Sequence, residues 1–366
     1  MKNTNDSVLK ELEEAKAYCH VIRNSILWIA ETILFTKQYV GWKIPIVPLD
    51  TDGEIDWKDF EEKHNKEYKA FISLELFSGL NNDFLHFTNF SLKSLHPSTM
   101  AVSYTLARKP FRDNLIYLEY LYARQDEFLH TFLGNNPDLE TKDLDNKIKN
   151  ERLRPKLILE ASEKLKKDGS IHVFKDNPNH IYEFRYKTEY TSFFDSAIHL
   201  ITSQRGNQTE AVNMNFIFLS NDPENAEQHA RHLLRMHLTL LSYSYELMYT
   251  LMIKLFSDFF TNEDVEKMID YLKYLQIRRI MSVIAFLFGH RILSGNRLDK
   301  KTILLMMKLL KKLVTFKCSC CGSKSFLHTS LDAAKTFIFE EIVICSKCKF
   351  PCKVEKPLRL SVEYET

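Results

Sequence analysis

Six of the seven cysteines in this 366-residue chain fall between Cys318 and Cys352. Four of them form two C-x-x-C pairs, Cys318/Cys321 and Cys345/Cys348, with 23 residues between the pairs. A turn closing over two intervening residues brings two thiolates about 3.5–4 Å apart, which suits a pair of Zn–S bonds near ~2.3 Å. Two such turns supply four sulfurs, the soft tetrahedral donor set that zinc favours. Gly322, directly after the first pair, gives the backbone the freedom that such a turn needs. The expected ligand set is therefore Cys318, Cys321, Cys345 and Cys348. Four protein ligands leave no position for water, so this zinc is expected to be structural and not catalytic. Two cysteines are surplus. Cys320 cannot replace a neighbour without breaking the turn and reads as a free thiol; Cys352 is the better substitute ligand. His328 reads as a residue on a strand face.

Residues 316–353 resemble a four-cysteine zinc ribbon, and the resemblance covers that stretch alone. Strands are expected around Ser325–Thr329 and Thr336–Ile344, with Phe326, Phe337, Phe339, Ile342 and Ile344 as the small core. Hairpins of this size bury little apolar surface, so the metal is expected to supply much of the folding energy. Ribbons occur in nucleic-acid-binding and protein-binding proteins alike. Lys300, Lys301, Lys308, Lys311, Lys312 and Lys317 precede or enter the stretch, and Lys347, Lys349 and Lys353 lie in its second half. From Arg297 to Thr366 there are 14 Lys/Arg against 7 Asp/Glu, whereas the whole chain carries only +2. Clustered cations gain affinity for a phosphate backbone by releasing counterions, which makes Lys308, Lys311, Lys312, Lys347 and Lys349 candidates for nucleic-acid contact. The competing reading is equally physical. These lysines offset the double negative charge of a zinc ion with four thiolates, and they solvate a helix face.

A second cluster lies in the segment His229-Ala-Arg231-His232-Leu-Leu-Arg235-Met-His237. His229 and His232 share a helix face that Arg235 continues, but His237 lies about 140° round the helix from His232. A three-histidine metal site on this helix is not expected. Arg231 and His237 are separated by five residues, the first of them polar. That pattern resembles the RNase motif of HEPN domains, helical bundles of bacterial toxins and phage-defence proteins. The resemblance implies metal-independent RNA cleavage at a homodimer interface. His237 would move a proton at the 2′-oxygen or leaving group, Arg231 would stabilise charge on the phosphate, and His232 is a further candidate. Arg124 and His130 repeat the spacing, whereas Arg231 and His237 lie near the start of a long expected helix. Arg108 and Arg112 share a face beside Pro110, and His199 lies in an aromatic-flanked helix.

The elements that must position these residues are mostly helices. Nine glycines and ten prolines are few for 366 residues, and 45% hydrophobic content is ample for a core. A long amphipathic helix is expected over 6–40, capped by Asp6 or Ser7. Two or three shorter helices follow over 56–95. A strong helix over 98–123 is interrupted at Pro110, and a short one runs over 126–133. Charged helices are expected over 140–149 and 160–167, separated by Pro155. Strand-like alternation marks Ile171–Tyr186 and Ala211–Leu219, with a helix over 190–202 between them. Asp222-Pro223 then starts a helix reaching about Phe260, followed by helices over 262–294 and 299–315.

The expected architecture is mainly α: a multi-helix bundle with a small β-containing middle insertion and a C-terminal zinc-ribbon module. Its regions are 1–135, a charged middle 136–221, a long-helix region 222–315 that packs on the first, and the ribbon 316–366. No G-x-G-x-x-G, P-loop, H-E-x-x-H or G-x-S-x-G motif occurs. The polar N-terminus shows no signal peptide. The longest apolar run, Ile280 to Gly289, is about half a membrane span. A reduced, cytoplasmic protein without membrane contact is expected. It would bind or act on RNA, or serve as a non-catalytic scaffold for protein partners.

Overall fold

Apolar residues at three- and four-residue spacing, rarely interrupted by glycine or proline, fold most of this chain into helices. A computed structural model describes residues 2–41, 65–96, 99–133, 148, 153–171, 177–186, 223–294, 315–326 and 331–354. Packing divides the chain into two units, each assembled from separated stretches. One comprises Met1–Glu31, Gln228–Tyr245 and Ile269–Thr366; the other comprises Thr32–Glu227 and Glu246–Met268. Among the described residues, no helix is long and apolar enough to cross a membrane.

In the first unit three long helices supply the core. Helix α1 (Lys2–Phe35) buries Ala15, Tyr18, Cys19, Ile22, Ile26 and Ile29, one stripe at helical spacing. It begins at Lys2, so Asp6 and Ser7 lie inside the helix and do not cap it. The long helix Pro223–Phe259 contributes Leu233, Leu234, Leu238 and Leu241 to this core. The helix Ile269–Leu293 contributes Tyr274, Leu275, Met281, Ala285 and Phe288. Gly289 permits their close approach, since a Cβ there would lie 2.8 Å from Leu238 Cδ1 and 3.2 Å from Tyr18 Cβ. Trp28 meets Tyr274 edge-on at 4.5 Å between ring centroids, and the Tyr245 hydroxyl donates to the Leu275 carbonyl at 2.7 Å. The expected single helix over 262–294 is two, Asn262–Lys267 and Ile269–Leu293. Thr261 caps the first through a reciprocal bond with Asp264, and Met268 separates them.

The second unit takes its described helices from the middle of the chain. Chain order gives α2 (Asn65–Lys93), α3 (Met100–Arg108), α4 (Leu115–Ala123), α5 (Gln125–Leu133), α6 (Leu153–Lys167) and α7 (Pro178–Tyr186). Accordingly the long helix above is α8, and α9 and α10 are the pair on either side of Met268. Within the region 56–95, where two or three shorter helices are expected, Asn65–Lys93 is one continuous helix, and 56–64 lie outside the described residues. Pro110 does not break its helix. The stretch Lys109–Asn114 widens into a π-turn, in which the Leu115 amide reaches the Pro110 carbonyl five residues back. Pro155 lies in the first turn of α6, where a missing amide costs nothing.

The strand expected within Ile171–Tyr186 is replaced by α7 from Pro178 onward. Ile181 and Arg185 are buried four residues apart, so helical spacing outweighs the local alternation. The Arg185 guanidinium meets both oxygens of buried Glu119 at 2.7 Å. The expected strand Ala211–Leu219 and the helices at 190–202 and 299–315 lie outside the described residues, except Thr315, which is extended; so does all of 140–149 except Ile148.

Candidate metal centre

Two short antiparallel hairpins carry the cysteine pairs. Strand β1 (Thr315–Lys317) pairs with β2 (Lys324–Phe326) in the register Thr315↔Phe326, and β3 (Ile342–Ile344) pairs with β4 (Pro351–Lys353) in the register Ile342↔Lys353. The two turns have one design. The Gly322 amide donates to the Cys318 carbonyl at 2.9 Å, and the Lys349 amide donates to the Cys345 carbonyl at 3.0 Å. The Cys318 amide donates to the Ser323 carbonyl at 3.0 Å, and the Cys345 amide donates to the Phe350 carbonyl at 3.0 Å. In both turns the residue after the second cysteine is left-handed, with φ 64° at Gly322 and 62° at Lys349.

This repeated geometry brings four sulfurs together. Cys318 Sγ lies 3.6 Å from Cys348 Sγ, and Cys321 Sγ lies 3.9 Å from Cys345 Sγ. All four sulfurs are within 4.8 Å of one another. A tetrahedron with ~2.3 Å metal–sulfur bonds has edges of about 3.8 Å, so the cluster fits a metal ion closely. The expected set Cys318, Cys321, Cys345 and Cys348 is thus the set that converges. Each turn also aims amides at sulfur. The Ser323 side chain, with its Oγ at 2.8 Å, and then its amide hold the Cys321 thiol below its ordinary pKa. The Phe350 amide pulls Cys348 down, but desolvation and three neighbouring sulfurs push it up to about 12. Four thiols this close cannot all ionise alone; a cation among them would supply the missing stabilisation.

Cys352 lies outside the mutual set. It is buried on β4, with its sulfur 3.7 Å from Cys318 Sγ, which it faces as a fifth thiol beside the cluster. Cys320 is exposed. His328 lies outside the described residues.

Between the hairpins the chain is helical. The strand expected over Thr336–Ile344 is helix α11 (Leu331–Glu340) followed by three residues of β3. Ala333, Ala334, Phe337 and Ile338 form its buried face at helical spacing, whereas Phe339 is 42% exposed. Glu341 ends this helix in the left-handed region, at φ 57°. Its amide donates to the Phe337 carbonyl at 3.1 Å, and its carbonyl accepts from the Val354 amide at 2.8 Å. Its carboxylate accepts from Arg278 Nη1 and from the Tyr274 hydroxyl, each at 2.8 Å. A second tie joins Lys335 to Glu14 at 2.6 Å. Glu341 therefore fixes the root of the second hairpin to α10. Sequence reasoning missed this clamp; the available signal was the Arg278-Arg279 pair, whose first member interrupts the apolar spacing of α10.

The histidine-rich segment is arranged otherwise. His237 is fully buried, with Nδ1 2.9 Å from the Leu233 carbonyl, one turn back on α8. Burial lowers its pKa to about 4, and His20 on α1 adds to the effect. His232 is likewise lowered to about 4 by burial, then by His229 and Arg235. Arg231 pairs with Glu11 at 2.8 Å, and Arg235 Nη2 donates to the Leu293 carbonyl at 2.7 Å, at the end of α10. Arg231 and His237 are thus held by different neighbours. Arg124 is held by Glu160 and Glu127, and Arg108 lies 3.7 Å from Asp113.

Among the candidate lysines, Lys347 and Lys349 are exposed on the second turn with Lys353 beside them. Among the described residues, no carboxylate pairs with any of the three. Lys308, Lys311, Lys312 and His199 lie outside the described residues. Compared with protein-family models, with curated proteins and with solved structures, the chain matches none.

Proposed function

We propose that the metal is zinc, held by Cys318, Cys321, Cys345 and Cys348 in a structural role, and that the module it stabilises binds nucleic acid. The sulfur spacing and the closed four-ligand set support zinc. The observation that carries the nucleic-acid reading is the second turn and the strand after it, where Lys347, Lys349 and Lys353 stand exposed with no carboxylate partner among the described residues. Elsewhere in this unit Lys335, Arg231 and Arg278 are each neutralised by a glutamate. The Lys349 ammonium donates to the Ser346 carbonyl at 3.2 Å and keeps its charge, and exposed cations of this kind can exchange counterions for phosphates. Binding to a labelled RNA is expected to weaken steeply with salt, and neutralising all three lysines to Gln should flatten that slope. Salt-independent binding, or none, would overturn the reading and favour a protein partner.

A catalytic form of the proposal, with Arg231 and His237 as an HEPN-like ribonuclease pair in a homodimer, draws its support from their spacing. It places a strict demand on α8, because a fully buried His237 must become accessible before its ring can reach a 2′-oxygen. RNA cleavage that persists in EDTA and disappears in His237→Ala is its test.

A further inference from the structure

Phe350 is 44% exposed, yet its backbone is among the most constrained in the module. Its carbonyl accepts the Cys345 amide at 3.0 Å, left-handed Lys349 precedes it, and Pro351 follows it into β4, paired with Ile344. Every residue from Ser346 to Pro351 is exposed. The ring therefore stands on a hydrogen-bonded turn, with exposed Lys347 and Lys349 on the same turn and exposed Lys353 three residues further on. An exposed aromatic in such a basic stretch suits one ligand chemistry: an unpaired nucleobase against the ring, with its own phosphates against the ammonium groups. A duplex offers the lysines as many phosphates, but its base faces are already stacked and cannot receive the ring.

We infer that Phe350 is a stacking platform, and that this module selects single-stranded over double-stranded nucleic acid. The inference rests on the nucleic-acid reading given above and sharpens its ligand class. Rigid mounting matters here. A ring that is already ordered loses little entropy on contact, so most of the stacking energy is retained in affinity.

The test is fluorescence anisotropy of the metal-loaded full chain, with a labelled oligouridine and with an RNA duplex of the same length. The single strand is expected to bind at least ~10-fold more tightly, and Phe350→Ala should weaken it by roughly 5- to 100-fold, the range for loss of one stacked base. Phe350→Trp should retain affinity and show added fluorescence quenching on binding. Metal content checks that each variant is folded; Phe350→Leu, which keeps apolar bulk without a ring, serves if the alanine variant loses metal. Equal or tighter duplex binding, or wild-type affinity in both Phe350→Ala and Phe350→Leu, would overturn the inference. Where such binding still depends on the three lysines, the broader reading survives. Absence of binding by the metal-loaded wild type overturns both.

Discussion

The cysteine pairs and the Arg231–His237 pair are both short spacings that suggested chemistry, and they ended in opposite arrangements. In each C-x-x-C pair the backbone turn itself directs both side chains to one point. Two amide–carbonyl bonds and a left-handed residue define that turn, and all of them lie within six residues. On α8 the backbone fixes only the angle between Arg231 and His237. Where each points is decided by what packs against the helix: Glu11 takes Arg231, and the core takes His237. A motif whose geometry is closed within a turn can be read from sequence, whereas one whose geometry is completed by tertiary packing cannot.

Breaking the turn-encoded site should have the largest effect. Cys321→Ser or Cys348→Ser is expected to reduce bound metal, zinc on the proposal above, from about one ion per chain to near zero and to forfeit several kcal/mol in the module. Metal analysis, with hydrogen exchange across 315–354, reads both. Normal metal content in either variant would refute the ligand set. Next in size is the clamp that connects the turn to the helices. Arg278→Met leaves the Glu341 carboxylate poorly paired and should cost about 3–5 kcal/mol of unfolding free energy, whereas adding Glu341→Leu should recover most of it. A double variant no better than the single would show that the pairing is not the cause.

The packing-encoded residue makes a pH prediction. Folded His237 stays neutral down to about pH 4, whereas in the unfolded chain it protonates near ~6.5. Unfolding therefore takes up a proton between these values, and stability falls as pH drops through that window, by on the order of 3 kcal/mol, before levelling off. His232 acts in the same direction. Denaturation of a His237→Leu variant should show a shallower acid slope; an unchanged slope would mean that His237 is already charged when folded. The smallest expected effect separates the two turns. Lys349→Gly should stabilise the loaded module by about 1 kcal/mol, and Gly322→Ala should destabilise it by a similar amount. Chelator competition at matched pH would measure both.

The helical class of the fold, a local irregularity at Pro110 and the four clustered sulfurs were legible because each follows from local pattern. Two errors share one cause. Thr336–Ile344 and Ile171–Tyr186 are rich in β-branched or aromatic residues and alternate over short windows, so they read as strands. In the structure Ala333, Ala334, Phe337 and Ile338, and likewise Ile181 and Arg185, meet their surroundings on one helical face. The clamp at Glu341 was illegible for a different reason. Its partners Tyr274 and Arg278 lie more than sixty residues away, and no spacing rule connects them.

The closing residue of each turn has one more consequence. Glycine enters the left-handed region freely, whereas lysine does so at a cost of about 1 kcal/mol. Before metal arrives, the Cys318–Gly322 turn is therefore the more populated of the two, and the Cys345–Lys349 turn is the rarer. On metal binding, the ready Cys318/Cys321 pair would meet the ion first, and the Cys345/Cys348 pair would close over it as Lys349 is driven into the left-handed region. The turn that carries Lys347, Lys349 and Phe350 would then be the last part of the module to take shape.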